Sequence, residues 1–261
     1  MMLDAIVAAG GVPRPGHPLY PLTQGQPKAL LSIAGQPMAQ WVLDALSAAT
    51  QVRRVVVMGL PTDTALHCAK ELTLLPDQGS LLENLSGGAK WLLQRDPALS
   101  QALAVSGDIP ALTPAAVNWA VTMGAAVQDD GCYILVPKNV MEQRFPGSHR
   151  SYYRFKEGLF TGADMMVLST RLVGDDNPLW GQLIAARKSI WQMAGLIGVG
   201  ALARMVLGQM SLPDAEHFAL TRLGARGRAL ISPHAEMGMD VDKPSQYALL
   251  KRDLAGRQGN K

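Results

Sequence analysis

The sequence predicts a three-layer α/β/α sandwich built on a mostly parallel sheet, and three observations carry that prediction. Short apolar runs alternate with segments of helical period along roughly the first 140 residues. Apolar residues make up 48% of the 261, enough to fill a sizeable core. No repeat, low-complexity tract or linker interrupts the rhythm. Residues 1–261 therefore read as one continuous domain with a helical insertion over 170–225.

In chain order, Leu3–Ala8 is an apolar run of strand length that ends in a Gly10-Gly11 turn. Gln40–Ala49 has helical spacing, with Trp41, Leu43, Ala45 and Leu46 facing the core. Val52–Met58 carries the second strand, Val55-Val56-Val57, and Thr62–Leu72 reads as the next helix. Leu82–Gln94 is a third helix. Ala102–Val105 is a third apolar strand, stopping at Ser106-Gly107-Asp108. Thr113 is placed to cap a helix reaching Met123, with Pro114 at its first position. Cys132–Val136 is a further strand. Beyond about residue 145 the pattern changes: Tyr152–Phe155 and Met165–Leu168 read as strands around a turn at Lys156-Glu157-Gly158. Leu179–Leu223 is mainly helical with breaks near Gly195 and Pro213. A last strand, Arg228–Ile231, leads to Asp240-Val241-Asp242 and a closing helix from Pro244.

Composition narrows the function classes. A net charge of +3 with only 17% charged residues is too mild for a nucleic-acid face, yet suits a polyanionic small ligand. Cys68 and Cys132 supply neither a disulfide framework nor paired zinc ligands. His17, His67, His149, His217 and His234 lack metal spacing and read as surface or packing residues. The start runs straight into Leu3-Asp4-Ala5 without a basic-then-apolar leader, so a cytoplasmic enzyme is expected. The apolar stretch Met193–Met210 carries Arg204 at its centre and Gly195, Gly198, Gly200 and Gly208. A central arginine is costly in lipid, which favours a docked helix over a spanning one. Peripheral membrane contact, a homodimer interface and a lid stay open for it.

The chemistry concentrates at strand ends. The first strand runs into Ala8-Ala9-Gly10-Gly11-Val12-Pro13-Arg14, and a long loop then reaches Pro27-Lys28-Ala29-Leu30. Glycines after a strand place backbone N–H groups where phosphates can sit, and Arg14 and Lys28 add fixed positive charge. Neither a dinucleotide nor a Walker motif is present. The set resembles the AAG-x-G-x-R and PK-x-L signature of MobA-like nucleotidyltransferases, with Val12 where a second glycine is common. Val105-Ser106-Gly107-Asp108-Ile109-Pro110 resembles that family's GD-x-P motif, whose aspartate binds the catalytic divalent metal. Asp240-Val241-Asp242-Lys243-Pro244-Ser245-Gln246 is similar to its C-terminal segment. There Asp242 is the better match for a second carboxylate, with Asp240 in reserve. A turn or helix cap is the plainer account of these same aspartates.

The resemblance implies a GT-A-like fold and a Mg²⁺-dependent transfer of a nucleoside monophosphate from GTP or CTP to a small phosphorylated acceptor. Arg14, Lys28 and Asp108 would be catalytic. Ala8, Ala9, Gly10, Gly11, Ser106 and Gly107 would join them in holding the nucleotide. The loop Pro76–Ser80 and the helix after it would meet the base through Gly79, Ser80 and Asn84, although a turn and a cap explain those residues as well. Arg150, Lys156 and Gly162 are candidates for the acceptor, against the alternative of a solvated hairpin. Asp108 and Asp242 would hold the metal. A phosphate nucleophile is already ionised near pH 7, so no general base is required. Two rivals remain: a nucleotide-sugar-dependent glycosyltransferase using Asp240-Val241-Asp242, and a catalytically silent nucleotide-binding module.

Overall fold

A computed structural model describes residues 1–127, 129–171, 200, 204, 207–223 and 226–258. In chain order the elements begin with β1 (Leu3–Ala8), the short helix α1 (Tyr20–Thr23), the hairpin β2 (Ser32–Ile33) and β3 (Gln36–Pro37), and α2 (Met38–Ala48). Next come β4 (Val52–Met58), β5 (Glu71–Leu75), α3 (Leu81–Arg95), β6 (Gln101–Ser106) and α4 (Pro114–Ala125). The chain continues through β7 (Gly131–Pro137), α5 (Lys138–Arg144), β8 (Tyr153–Phe155), β9 (Gly158–Ser169), α6 (Leu212–Leu223), β10 (Gly227–Ile231) and α7 (Pro244–Gln258).

The main sheet has the order β10-β7-β9-β6-β1-β4-β5, with β8 hairpinned onto β9. The pairs β1–β4, β1–β6, β4–β5 and β7–β10 are parallel, whereas β9 runs antiparallel to both β6 and β7. Helices cover both faces, and the strands show why. Leu3, Ala5, Val7, Val55, Val57, Leu103 and Val105 belong to one core cluster. Their alternating neighbours Ile6, Val56, Met58, Ala102 and Ala104 belong to a second, opposite one. Strands apolar at every position need a helical layer on each side, and that makes three layers. Small residues set the spacing between them. A Cβ at Gly88 of α3 would stand 2.6 Å from Ile6 Cγ2, and one at Gly124 of α4 would stand 2.4 Å from Val167 Cγ2.

The one charge on β1 is handled locally. Asp4 is fully buried and takes a bidentate pair from Arg53 at 2.8 and 2.9 Å, with Arg54 Nε at 3.0 Å. Burying a carboxylate is costly without such partners.

One expected element is different. The spacing of Thr62–Leu72 predicts a helix, but its first part is an irregular loop and its end enters β5. Thr64 turns back on Pro61 through its N–H and hydroxyl, and Gln40 brackets His67 through both its N–H and its carbonyl. These contacts occupy groups a helix would need. The run Leu72-Thr73-Leu74-Leu75 then pairs in register with Val55–Met58. Most of the insertion expected over 170–225, including two-thirds of 193–210, lies outside the described residues; within it α6 is helical. Among the described residues no helix is long and apolar enough to cross a membrane.

Backbone crowding at the sheet edge gives a stability test. Gly59 (φ +96°) and Gly35 (φ +89°) both use left-handed backbone, but only at Gly59 would a Cβ meet main chain, 2.3 Å from Gly10 Cα. Gly35→Ala is expected to cost about 1–2 kcal/mol, and Gly59→Ala about 3 kcal/mol or more, in urea unfolding. Equal losses at the two sites would show that the Gly10–Gly59 contact does not constrain the edge.

Candidate active site

The chain leaves β1 for β4 on one side, while β6 pairs on the other, so the carboxyl ends of β1 and β6 flank a topological switch point. Gly107 N–H donates to Ala8 O at 2.9 Å, and Lys28 N–H donates to Gly11 O at 2.7 Å. These bonds fasten the β6 end and the Pro27–Lys28 segment to the glycine turn. Gly107 has no room for a side chain, since a Cβ would lie 3.2 Å from Ala9 Cβ and 3.3 Å from Ala29 Cβ.

Lys28 is the centre of charge. Its Nζ lies 2.5 Å from Asp108 Oδ2 and donates to Asp242 Oδ1 at 2.6 Å. Burial disfavours the ammonium, but the two carboxylates outweigh it and hold the Lys28 pKa above its ordinary value. For Asp242 burial pushes up, while Lys28, Arg150 and His17 pull down, and the net direction is downward. Ser106 Oγ donates to the other Asp108 oxygen at 2.5 Å.

Asp242 arrives from far along the chain, and its segment is pinned there. Val241 N–H donates to Asp108 O at 3.1 Å. The buried Gln246 accepts from the N–H groups of both Asp242 and Lys243 at 2.9 Å, capping α7 and fixing the aspartate in one movement. Asp240 is turned elsewhere: it pairs with Arg150, whose Nη2 also lies 3.5 Å from Asp164 Oδ2. Of the two aspartates in Asp240-Val241-Asp242, Asp242 is therefore the one that shares a cation with Asp108.

Asp164 reaches the site because β9 is antiparallel. Met165 pairs with Val105, which sets Asp164 beside the end of β6. Between Tyr133↔Met166 and Leu135↔Gly162 the register slips, β9 spending four steps where β7 spends two. Such a bulge re-aims side chains. It leaves Asp164 Oδ2 enclosed and without a hydrogen bond among the described residues. Burial first, then the charge of Asp108, pushes the Asp164 carboxyl up to about 7, with Arg150 opposing.

Two cavities open at this edge. The first, about 730 Å³, is lined by Ala8, Ala9, Gly10, Gly11, Arg14, Lys28, Gly79, Ser80, Asn84, Ser106, Gly107, Asp108 and Asp242, together with His17. The second, about 500 Å³, is lined by Arg150, Gly162, Asp164, Tyr133, Tyr153, Asp240, Asp242 and Lys243 among others. Ala8, Ser106, Leu81 and Asp242 border both, so the cavities share a wall. Every nucleotide residue expected from the sequence thus faces one space. Asn84 does so with its amide already committed, donating to Asp77 at 2.7 Å and accepting from Gln78 N–H at 2.9 Å. Ser80 caps α3 by accepting from Glu83 N–H. For the acceptor, Arg150 and Gly162 line the second cavity, while Lys156 sits in the β8–β9 turn and lines neither. A Cβ at Gly162 would stand 2.3 Å from the Tyr133 hydroxyl, so the glycine admits that ring.

Sequence reading missed Gln246 as a positioning group and did not commit to Asp164. The first was legible as an acceptor three residues after Lys243, the capping spacing. The second depends on a bulge no local pattern announces. For a metal, no three His, Cys, Asp or Glu side chains gather into a cage among the described residues. Two carboxylates do converge on one cation, Lys28, and Mg²⁺ bound with phosphates needs only one or two. The donor set fits.

A MobA-like NTP transferase domain model matches residues 5–207. A hypothetical transferase from Thermus thermophilus is 36% identical over 95% of this chain and 100% of its own, with a TM-score of 0.81. CMP:2-keto-3-deoxy-manno-octonic acid synthetase in complex with CTP shares the fold at 14% identity, TM-score 0.56, covering 98% of this chain and 99% of its own. So does 2-C-methyl-D-erythritol 4-phosphate cytidylyltransferase from Thermus thermophilus, at 16% identity and TM-score 0.53, covering 98% and 100%. No curated protein matches the chain.

The raised Asp164 carboxyl predicts a signed pH effect. Between the ordinary carboxylate range and about 7, the folded protein keeps a proton that the unfolded chain has released, so stability falls as pH rises through that window. Asp164→Asn mimics the protonated acid. Its stability in urea should match the parent near pH 4 and exceed it by pH 8, with a limiting slope of about 1.4 kcal/mol per pH unit. Parallel stability curves for the two proteins would show that Asp164 titrates normally.

Proposed function

This chain belongs to the MobA-like NTP transferase family, and on that premise we propose that it moves a nucleoside monophosphate from GTP or CTP to a small phosphorylated acceptor, releasing pyrophosphate. The observation that carries the reading is the shared wall: two cavities meet at Ala8, Ser106 and Asp242, with Lys28 held between Asp108 and Asp242 beside that seam. A nucleotide in the first cavity would bring its α-phosphorus to the seam, and an acceptor in the second would approach it from the far side. Holding both in line supplies much of the rate.

The chain's own groups have distinct tasks. The N–H groups of the glycine turn and the Arg14 fork bind the triphosphate. Lys28 exchanges its carboxylates for phosphate oxygens once the nucleotide arrives. Mg²⁺ on Asp108 and Asp242 would neutralise charge as the α–β phosphoanhydride bond breaks. Ser106 and Gln246 keep those two carboxylates oriented. Arg150, which pairs with Asp240 and lines the second cavity, would meet the acceptor's anionic group. Asp240 is thereby occupied, which weighs against Asp240 and Asp242 jointly holding a sugar-nucleotide metal.

Pyrophosphate release from each of the four NTPs, with Mg²⁺ and a panel of phosphorylated sugars, polyols and pterins, tests the reading directly. Release that requires one NTP and one acceptor supports it; tight NTP binding without release for any acceptor supports the silent module. Asp108→Asn should cut turnover by about a thousandfold or more while leaving the fold intact. Near-normal turnover in that variant would remove Asp108 from the reaction. Lys28→Ala should raise the NTP concentration needed for half-maximal rate at least about tenfold, read from initial rates.

A further inference from the structure

We infer that His17, in the loop after the glycine turn, is a third phosphate-binding side chain beside Arg14 and Lys28, donating from Nε2 to the nucleotide's polyphosphate. The inference rests on the reading of the first cavity as the triphosphate site. It begins with a turn. His17 N–H donates to Arg14 O at 3.0 Å across Pro15-Gly16, and Gly16 has φ +93°, the arrangement of a type II turn with proline and glycine at its centre. The ends of such a turn lie side by side. Arg14 and His17 are those ends, and both line the first cavity with Lys28.

The imidazole is held, not loose. Tyr20 N–H donates to His17 O at 2.9 Å, and Leu19 N–H donates to His17 Nδ1 at 3.1 Å, with the Leu19 side chain itself fully buried. An Nδ1 that accepts leaves the ring proton on Nε2. That Nε2–H makes no hydrogen bond among the described residues, and His17 lines a cavity that holds the Arg14 guanidinium and the Lys28 ammonium together with the carboxylates of Asp77, Asp108 and Asp242. A fixed donor facing such a space has one fitting class of partner, an anionic oxygen. The ordering is already present before the ligand arrives, so little entropy is lost on binding.

Two substitutions separate this role from a purely local one. Asn at 17 can still accept from Leu19 N–H but is too short to reach as Nε2 does. Gln at 17 can present an N–H near the Nε2 position but gives up the Nδ1 contact. The probe is inorganic tripolyphosphate, titrated calorimetrically into the parent, His17→Asn, His17→Gln and Lys28→Ala, with and without Mg²⁺. His17→Asn is expected to weaken binding about tenfold and His17→Gln by no more than about threefold. The reverse order, or an unchanged affinity in His17→Asn, overturns the inference and leaves His17 as a loop brace. A parent that binds neither tripolyphosphate nor any NTP overturns the triphosphate reading of the cavity itself, and Lys28→Ala, unaltered beside a binding parent, would expose the same failure without involving His17.

Discussion

Two carboxylates cannot share a half-buried corner without a cation between them, and the whole functional edge is arranged around that constraint. Asp108 ends a central strand, Asp242 comes from the last segment before α7, and Lys28 comes from the loop behind β1. Remove the ammonium and like charges face each other across the site, Asp108 largely buried and Asp242 half exposed. Keep it, and three distant parts of the chain are tied to one point. The surrounding hydrogen bonds, from Val241 to Asp108 and from Lys28 to Gly11, then work as a frame that keeps the charges at bonding distance. On the proposed function the same point is where positive charge would be wanted when a polyphosphate arrives, so the stabilising contact and the binding contact would draw on one side chain.

The rest of the molecule divides its labour between the two ends of the sheet. At the start of β1 and β4, Asp4, Arg53, Arg54 and Asp96 form a closed set whose charges answer one another. At the finish of β1 and β6, glycines replace side chains so that backbone lies against backbone, as where Gly59 meets Gly10. Parallel strands make this division natural, because all their carboxyl ends gather on one side. The antiparallel β9 is the exception, and it contributes its beginning to that side where its neighbours contribute their ends.

Much of this was legible in the chain. The run Leu3–Ala8 became a strand with the same bounds, the strand expected at Val55–Val57 extends over Val52–Met58, and Thr113 caps α4 as its place before Pro114 suggests. Asp108 and Lys28 stood out because a strand-ending Gly-Asp and a Pro-Lys pair resemble the family's motifs. What escaped notice was set by long-range contact. The stretch after Pro61 has apolar residues at helical spacing, but Gln40 and strand β4 claim its polar groups. Met165-Met166-Val167-Leu168 looked like a modest strand; the full β9 is long because it is wedged between β6 and β7, and nothing in its own residues states that. The division of Asp240 and Asp242 between Arg150 and Lys28 likewise emerges only when segments far apart in sequence are brought together.

The wedge strand also bears on how such a protein could diversify. One cavity is walled by β1, β6 and their glycine loops, where a Cβ at Gly10 or Gly107 would crowd its neighbours. The other takes its outer wall from the β8–β9 hairpin and the residues around His149–Ser151, joined to the sheet through a single bulged strand. A lineage could lengthen, shorten or repaint that hairpin while the opposite wall stayed still. If the first cavity takes the nucleotide and the second the acceptor, descent with a constant donor and a wandering acceptor is the cheap path, and novelty in this architecture would accumulate on one side of the shared wall.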